Sequence, residues 1–167
     1  MNSTTTLGQQ FLNALELEAP ASRKCLERIP ESLFNYKPHE KSMALGYLAL
    51  IVAEVPKWIS TMVQQGDIDF ATFKHIQPKT TAELVWHLDE NMAKVKKVLQ
   101  EVSDEELEKN FSLKNKGEVL LTMTKKDCID QSIRHWVHHR GQLTVYMRLN
   151  DIAVPSIYGP TADEQGF

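Results

Sequence analysis

The chain holds few of the residues that would announce a specialised class. It has two cysteines in 167 residues, Cys25 and Cys128. They are far apart and in no Cys-x-x-Cys spacing, which excludes a framework of several disulfides or a zinc ribbon, leaves a pairing between the two open though nothing asks for it, and fits a reducing cytoplasm. A formal net charge of -3 excludes the basic surface that DNA or RNA binding requires. No stretch approaches the ~18 consecutive apolar residues of a membrane span. The opening Met-Asn-Ser-Thr-Thr-Thr has neither a charged region nor an apolar one of the secretory kind, so a cytoplasmic location is expected. Phosphate-cradling glycine motifs and nucleophile elbows are missing. Ser132 lies near a histidine face, but no Asp stands at triad distance, so nucleophilic hydrolysis is unsupported.

What is present is ordinary in amount and ordered in pattern. Hydrophobic residues make up 42% and charged residues 25%, as in a globular protein of one domain spanning 1–167. Seven glycines and seven prolines punctuate four long segments. The first runs from about Thr5 to Ile29, with Pro20 expected to kink or split it. The second runs from about Ser42, a plausible N-cap, to Gln65, with Leu48, Ile51, Val55, Trp58 and Met62 at helical spacing and Pro56 predicting a bend. The third opens on Thr80-Thr81-Ala82-Glu83, a capping-box pattern, and runs to about Glu101. Ser103 starts a further short turn. Asn110 to Thr124 then reads as two short strands around Asn115-Lys116-Gly117, a hairpin. The last helix spans about Lys126 to Asn150, and the tail beyond it is irregular. These segments predict an all-α four-helix bundle with a short β-hairpin between its third and fourth long helices.

The most informative stretch is His135-Trp136-Val137-His138-His139-Arg140-Gly141-Gln142-Leu143. At ~100° per residue, His135, His139, Gln142 and Tyr146 fall within about 60° on one helix face, with Cys128 and Leu149 on or beside it. That face is expected to be the buried one. An i, i+4 histidine pair offers a metal two nitrogens from one rigid element. A pair of neutral, hydrogen-bonded core histidines has the same spacing. Gln142 suits an imidazole-orienting role, and Tyr146 either offers a hydroxyl to a cavity or sits buried with one satisfied bond. His138 is expected to pack at a helix boundary or bond to a backbone group, and Arg140 to make a structural ion pair or bind a helix terminus rather than contact substrate. Trp58, Trp86 and Trp136 read as core or interface residues, while His39 and His75 fall in loops and carry no signal. The acidic turn from Ser103 to Glu108 reads as a solvated helix start.

This stretch, continued as Thr144-Val145-Tyr146-Met147-Arg148 and followed by Val154-Pro155-Ser156-Ile157-Tyr158-Gly159-Pro160-Thr161-Ala162-Asp163-Glu164, resembles the DinB family, the DinB/YfiT-like superfamily. Leu26 to Pro30, Tyr36 to Gly46 and Ser103 to Leu107 resemble it too, so the likeness covers nearly the whole chain. The family's name points to induction by DNA damage, a stress response, which concerns when a gene is expressed.

The resemblance implies an up-down-down-up bundle, a homodimer, and a divalent metal, nickel or zinc, held by three histidines. Two carry over onto His135 and His139. The third belongs to the second helix, where this chain reads Leu45-Gly46-Tyr47-Leu48-Ala49-Leu50-Ile51-Val52-Ala53-Glu54 and has Ile51 at the histidine's place. Isoleucine has no lone pair, so the site is expected to be degenerate, with an ion weakly bound or absent. Substitute donors to consider are Glu54, His87, Glu90, Tyr47 and Cys128, the last ~10 Å along the axis from His135. Two functions follow from the likeness. One is a non-catalytic or weakly metal-binding member that takes a small molecule. The other is a metal-dependent S-transferase, in which His135, His139 and a borrowed ligand hold the ion that acidifies a low-molecular-weight thiol.

Overall fold

The computed structural model describes residues 6–166. Residues 1–5, which include the opening stretch and the expected first helical position Thr5, lie outside the described residues, as does Phe167. The elements in chain order are α1 (Leu7–Glu27), a 3-10 turn (Glu31–Leu33), α2 (Leu45–Gln64), β1 (Asp67–Asp69), α3 (Thr81–Glu101), the one-turn α4 (Asp104–Leu107), β2 (Asn110–Asn115), β3 (Glu118–Thr124) and α5 (Lys125–Leu149). The protein is mostly helical, with a small three-stranded sheet.

Local chemistry sets most boundaries. Thr6 accepts from the Gln9 amide at the start of α1, Ser103 from the Glu106 amide at α4, and Thr124 from the Asp127 amide at α5. Thr80 and Glu83 form the expected reciprocal capping box of α3. Helix α2 departs from expectation. It starts at Leu45 rather than after Ser42, and its N-cap Ala44 has no side chain to donate or accept. Backbone carbonyls of the preceding turn do the capping instead: the Leu45 amide donates to Tyr36 O and the Gly46 amide to Phe34 O, both at 2.9 Å. That approach leaves no room at Gly46, where a Cβ would lie 2.9 Å from the Phe34 Cβ.

Neither proline splits its helix. Pro20 lies on the exposed side of α1, where the carbonyl it orphans faces water. Pro56 is buried within α2 and deprives Val52 O of its i+4 amide partner. The Trp136 indole N–H fills that vacancy at 2.7 Å, and Asn91 Nδ2 donates to the next carbonyl, Ala53 O, at 2.9 Å. A buried carbonyl without a partner costs free energy of the order of a lost hydrogen bond. So α5 fills the place in the ladder that the proline breaks, and α3 adds a bond one carbonyl further on.

Helix ends meet as follows. Thr81 Oγ1 donates to Ile29 O, and Lys96 pairs with Glu16, so α1 and α3 run in opposite directions. Lys125 Nζ reaches Val63 O, Trp136 meets Val52 and the Tyr146 hydroxyl donates to Met43 O, so α2 and α5 are antiparallel as well. A core of fully buried Leu12, Leu15, Leu48, Ala53, Ile59, Leu84, Val95, Trp136 and Leu143 joins all four. By length and composition α2 is apolar enough to cross a membrane, which the reading of consecutive apolar residues did not register. Of that stretch 78% is buried against the other helices, as in a core helix.

Strands β2 and β3 pair antiparallel, from Asn110 opposite Thr124 to Asn115 opposite Glu118. Their two-residue turn has Lys116 at φ 52° and Gly117 at φ 83°, the left-handed pair that a tight hairpin requires. Unexpectedly, β1 adds a third strand, parallel to β2. Three residues with one buried side chain carry no periodic signal. The Asp69 carboxylate anchors the addition, accepting from the Lys116 and Gly117 amides at 3.0 and 2.7 Å.

Candidate functional site

Helix α5 carries the histidine pair, but its buried stripe is rotated from the one expected. Trp136, Leu143 and Met147 are fully buried, His139 is 7% exposed, and His135 lies on the exposed side of the helix with Leu149. The cause is packing against two neighbours: α1 draws Arg140 inward while α2 takes Trp136. His135 is therefore half in a cavity and half in water, its ring stacked at 5.8 Å on Trp58 of α2.

The two imidazoles are hydrogen-bonded to each other, Nε2 to Nε2 at 2.5 Å, and His139 Nδ1 lies 2.8 Å from Gln142 Oε1. The amide oxygen only accepts, so His139 donates from Nδ1 and its Nε2 carries the lone pair. His135 then donates from Nε2, which leaves its Nδ1 lone pair without a partner among the described residues. Gln142 thus has the orienting role expected of it. Proton affinity is lowered at both rings. Burial is the main cause at each; His139 and His138 add to it at His135, while the Gln142 bond opposes it at His139.

The convergence of the two Nε2 atoms is what a shared ion needs, but the spacing is not. Two nitrogens at about 2.0–2.1 Å from a tetrahedral ion stand about 3.3 Å apart, so the pair must open before it chelates. The Trp136–Val52 and Tyr146–Met43 contacts set Ile51, 8% exposed and in the core, level with the turn of α5 between His135 and His139. Among the described residues no replacement donor joins the pair. Glu54 and His87 are engaged with each other, Glu90 and Tyr47 are exposed, and Cys128 is a free, buried thiol pushed up to about 11, chiefly by burial. Among the described residues no three His, Cys, Asp or Glu side chains gather to hold a metal. The residues present do not fit a firmly held catalytic ion.

A cavity of about 490 Å³ opens beside the pair, between α2, the segment after β1, the hairpin and α5. Trp58, Met62, Ile68, Phe70, Phe73, Leu113 and Leu121 give it apolar walls, and Cys128, Ser132, His135 and His138 belong to its α5 side. His75, which sequence reading passed over, lies on the opposite wall. Its Nδ1 is 2.5 Å from Glu54 Oε2, and Glu54 Oε1 takes His87 Nε2 at 3.3 Å and the Ile76 amide at 3.3 Å. Burial pushes the Glu54 carboxyl up, but the two imidazoles and nearby Lys57 outweigh it and hold the group below its ordinary value. No motif announces this cluster, since its members come from α2, a loop and α3. The one sequence signal is a glutamate inside an apolar helix, which needs a partner.

The other motif residues hold the tail to the helices. Arg140, 1% exposed, donates to Glu18 O at 3.0 Å and to the Tyr158 hydroxyl at 2.8 Å, and pairs with the Glu18 carboxylate at 2.5 Å. Asp163 pairs with Arg148, and Glu164 with Arg28. Arg140 thus has the structural ion pair expected of it.

This arrangement is that of a known family. The DinB family profile matches residues 1–165, and the chain belongs to that family. Among curated proteins it is 27% identical over 158 residues to the uncharacterized protein YrdA of Bacillus subtilis, covering 92% of this chain and 89% of YrdA. It is 24% identical over 123 residues to the uncharacterized protein YjoA of the same organism, covering 73% and 77%. Among solved structures, the DinB-like YjoA from Bacillus subtilis superposes with a TM-score of 0.69 at 17% identity, over 94% of this chain and 99% of that one. A DinB-like protein from Bacillus cereus gives 0.68 at 22%, over 89% and 95%.

Proposed function

We propose that this DinB-family protein is a non-catalytic binder of a small, largely apolar molecule, built on an up-down-down-up four-helix bundle whose metal site is degenerate. The observation that carries the reading is the conjunction of an aromatic-walled cavity with a histidine pair already hydrogen-bonded to itself, with Ile51 level with it on α2. The volume is in the range of small-molecule pockets, and its few polar groups are of the orienting kind. The antiparallel contacts of α1 with α3 and of α2 with α5 support the bundle. The two free thiols accord with a cytoplasmic setting, and a homodimer is the assembly that light scattering should find.

The second reading, a metal-dependent thiol S-transferase, draws on the convergence of His135 and His139. A nickel or zinc ion there would acidify a thiol, with the two imidazoles as its protein donors. Metal analysis separates the two. Protein purified without a polyhistidine tag is expected to carry far less than one equivalent of nickel or zinc. A stoichiometric ion that disappears in His135→Ala would overturn the binder reading. Ile51→His is expected to raise nickel and zinc affinity at least tenfold by restoring the third donor. Unchanged affinity would mean that Ile51 is not the family's histidine position.

A further inference from the structure

Of the three imidazoles that line the cavity, His75 stands on one wall and His135 and His138 on the other, and His75 and His135 each have a ring nitrogen left for a ligand. His75 shares a proton with the Glu54 carboxylate through Nδ1, at 2.5 Å. A carboxylate only accepts, so that proton resides on Nδ1, which makes Nε2 the acceptor in the neutral form of the ring. That Nε2 has no partner among the described residues. The tautomer is enforced, because Glu54 is fully buried and receives three hydrogen bonds, from His75, His87 and the Ile76 amide. The Phe73 ring, edge-on to His75 at 5.1 Å, fixes the ring plane. Across the cavity the His139–Gln142 relay gives His135 the same character at Nδ1. Two cations stand near, each already engaged: Arg134 is paired with Asp130, and Lys57, over the Phe73 ring at 4.6 Å, lies 3.7 Å from Glu54 and donates to Lys74 O.

We infer that the cavity selects a neutral aromatic compound bearing a hydroxyl, a phenol, whose ring lies among Trp58, Phe70 and Phe73 and whose O–H donates to His75 Nε2. An aromatic ring matches the aromatic walls. A lone pair opposite the hydroxyl accepts its proton and repels an anion at the same place. The inference rests on the binder reading, and names the ligand class of that pocket. Glu54 acts as a positioning residue, holding the acceptor tautomer.

Titration calorimetry at pH 7.5 with 4-ethylphenol, ethylbenzene and 4-ethylbenzoate tests it, on wild type and on His75→Phe. One added hydrogen bond predicts that 4-ethylphenol binds roughly three- to tenfold tighter than ethylbenzene in the wild type. In His75→Phe the two are expected to bind alike. Nitrogen-15 shifts of the wild-type His75 ring are expected to report a protonated Nδ1, a readout that needs no variant. Equal affinities in the wild type, a preference that survives His75→Phe, tighter binding of 4-ethylbenzoate, or a protonated Nε2 would each overturn the inference and leave the binder reading standing. Binding of none of the three would overturn the binder reading, and this one with it.

Discussion

A pair of imidazoles that share one proton is costly to charge. His135 and His139 bind protons more weakly than an ordinary histidine of pKa 6.5, with burial the leading cause at both. The unfolded chain keeps the ordinary value, so on acidification it takes up protons before the folded protein does. The pair's stabilisation is therefore whole above about pH 6.5 and falls as pH drops through the lowered folded values. Urea midpoints measured from pH 7.5 to 5 are expected to fall less steeply in the double variant His135→Gln, His139→Gln than in the wild type. Parallel pH profiles would show that the pair is not linked to folding. This pair was legible in the sequence because an i, i+4 spacing survives into any helix. The Glu54 cluster was not, because its members stand 21 and 33 residues apart. Spacing along a chain says nothing about a loop that folds back over a helix.

Helix α2 shows how elements depend on one another. Pro56 removes an amide from the middle of a buried helix, and the Trp136 indole supplies the missing donor to Val52 O. Trp136→Phe keeps an aromatic ring in the core but leaves that carbonyl unpaired, at an expected cost of about 1–3 kcal/mol. Pro56→Ala returns the helical amide. Denaturation of the two single variants and the double variant should therefore reveal coupling, with Trp136→Phe costing less in the Pro56→Ala background. Additive effects would refute the repair. A proline inside an apolar periodic segment was readable from sequence, and so was the run of helix on either side. That the helix continues was not, because the donor that rescues it lies 84 residues away. The same holds at Gly46, where a backbone cap from the Phe34 turn replaces the expected Ser42.

At the scale of the molecule, the stretches that resemble the family most clearly serve the fold as much as the site. Arg140 binds Glu18 of α1 and Tyr158 of the tail at once, and Asp163 and Glu164 hold that tail to Arg148 and Arg28. Removing one partner of a buried ion pair strands the other. Arg140→Met is expected to destabilise the protein by about 3 kcal/mol and to speed protease cleavage between residues 155 and 166. Intact stability with an uncut tail would show that the clasp is dispensable. Tyr158 is itself 67% exposed and lies over the guanidinium, 5.4 Å from its ring centre. The ring seals the pair without being buried.

Local periodicity determined the helices, the hairpin turn and the histidine pair, because each is a property of neighbours within four residues. The same periodicity placed both histidines inside, since a wheel knows only one direction of burial. Tertiary packing decided otherwise. Two helices, α1 and α2, compete for the faces of α5, and Trp136 and Arg140 won the interior by filling an orphaned carbonyl and pairing with a carboxylate. His135 was left at the edge of a cavity whose opposite wall, His75, comes from a loop. Where a side chain ends up depends on which distant partner satisfies it, and that is written in no single segment.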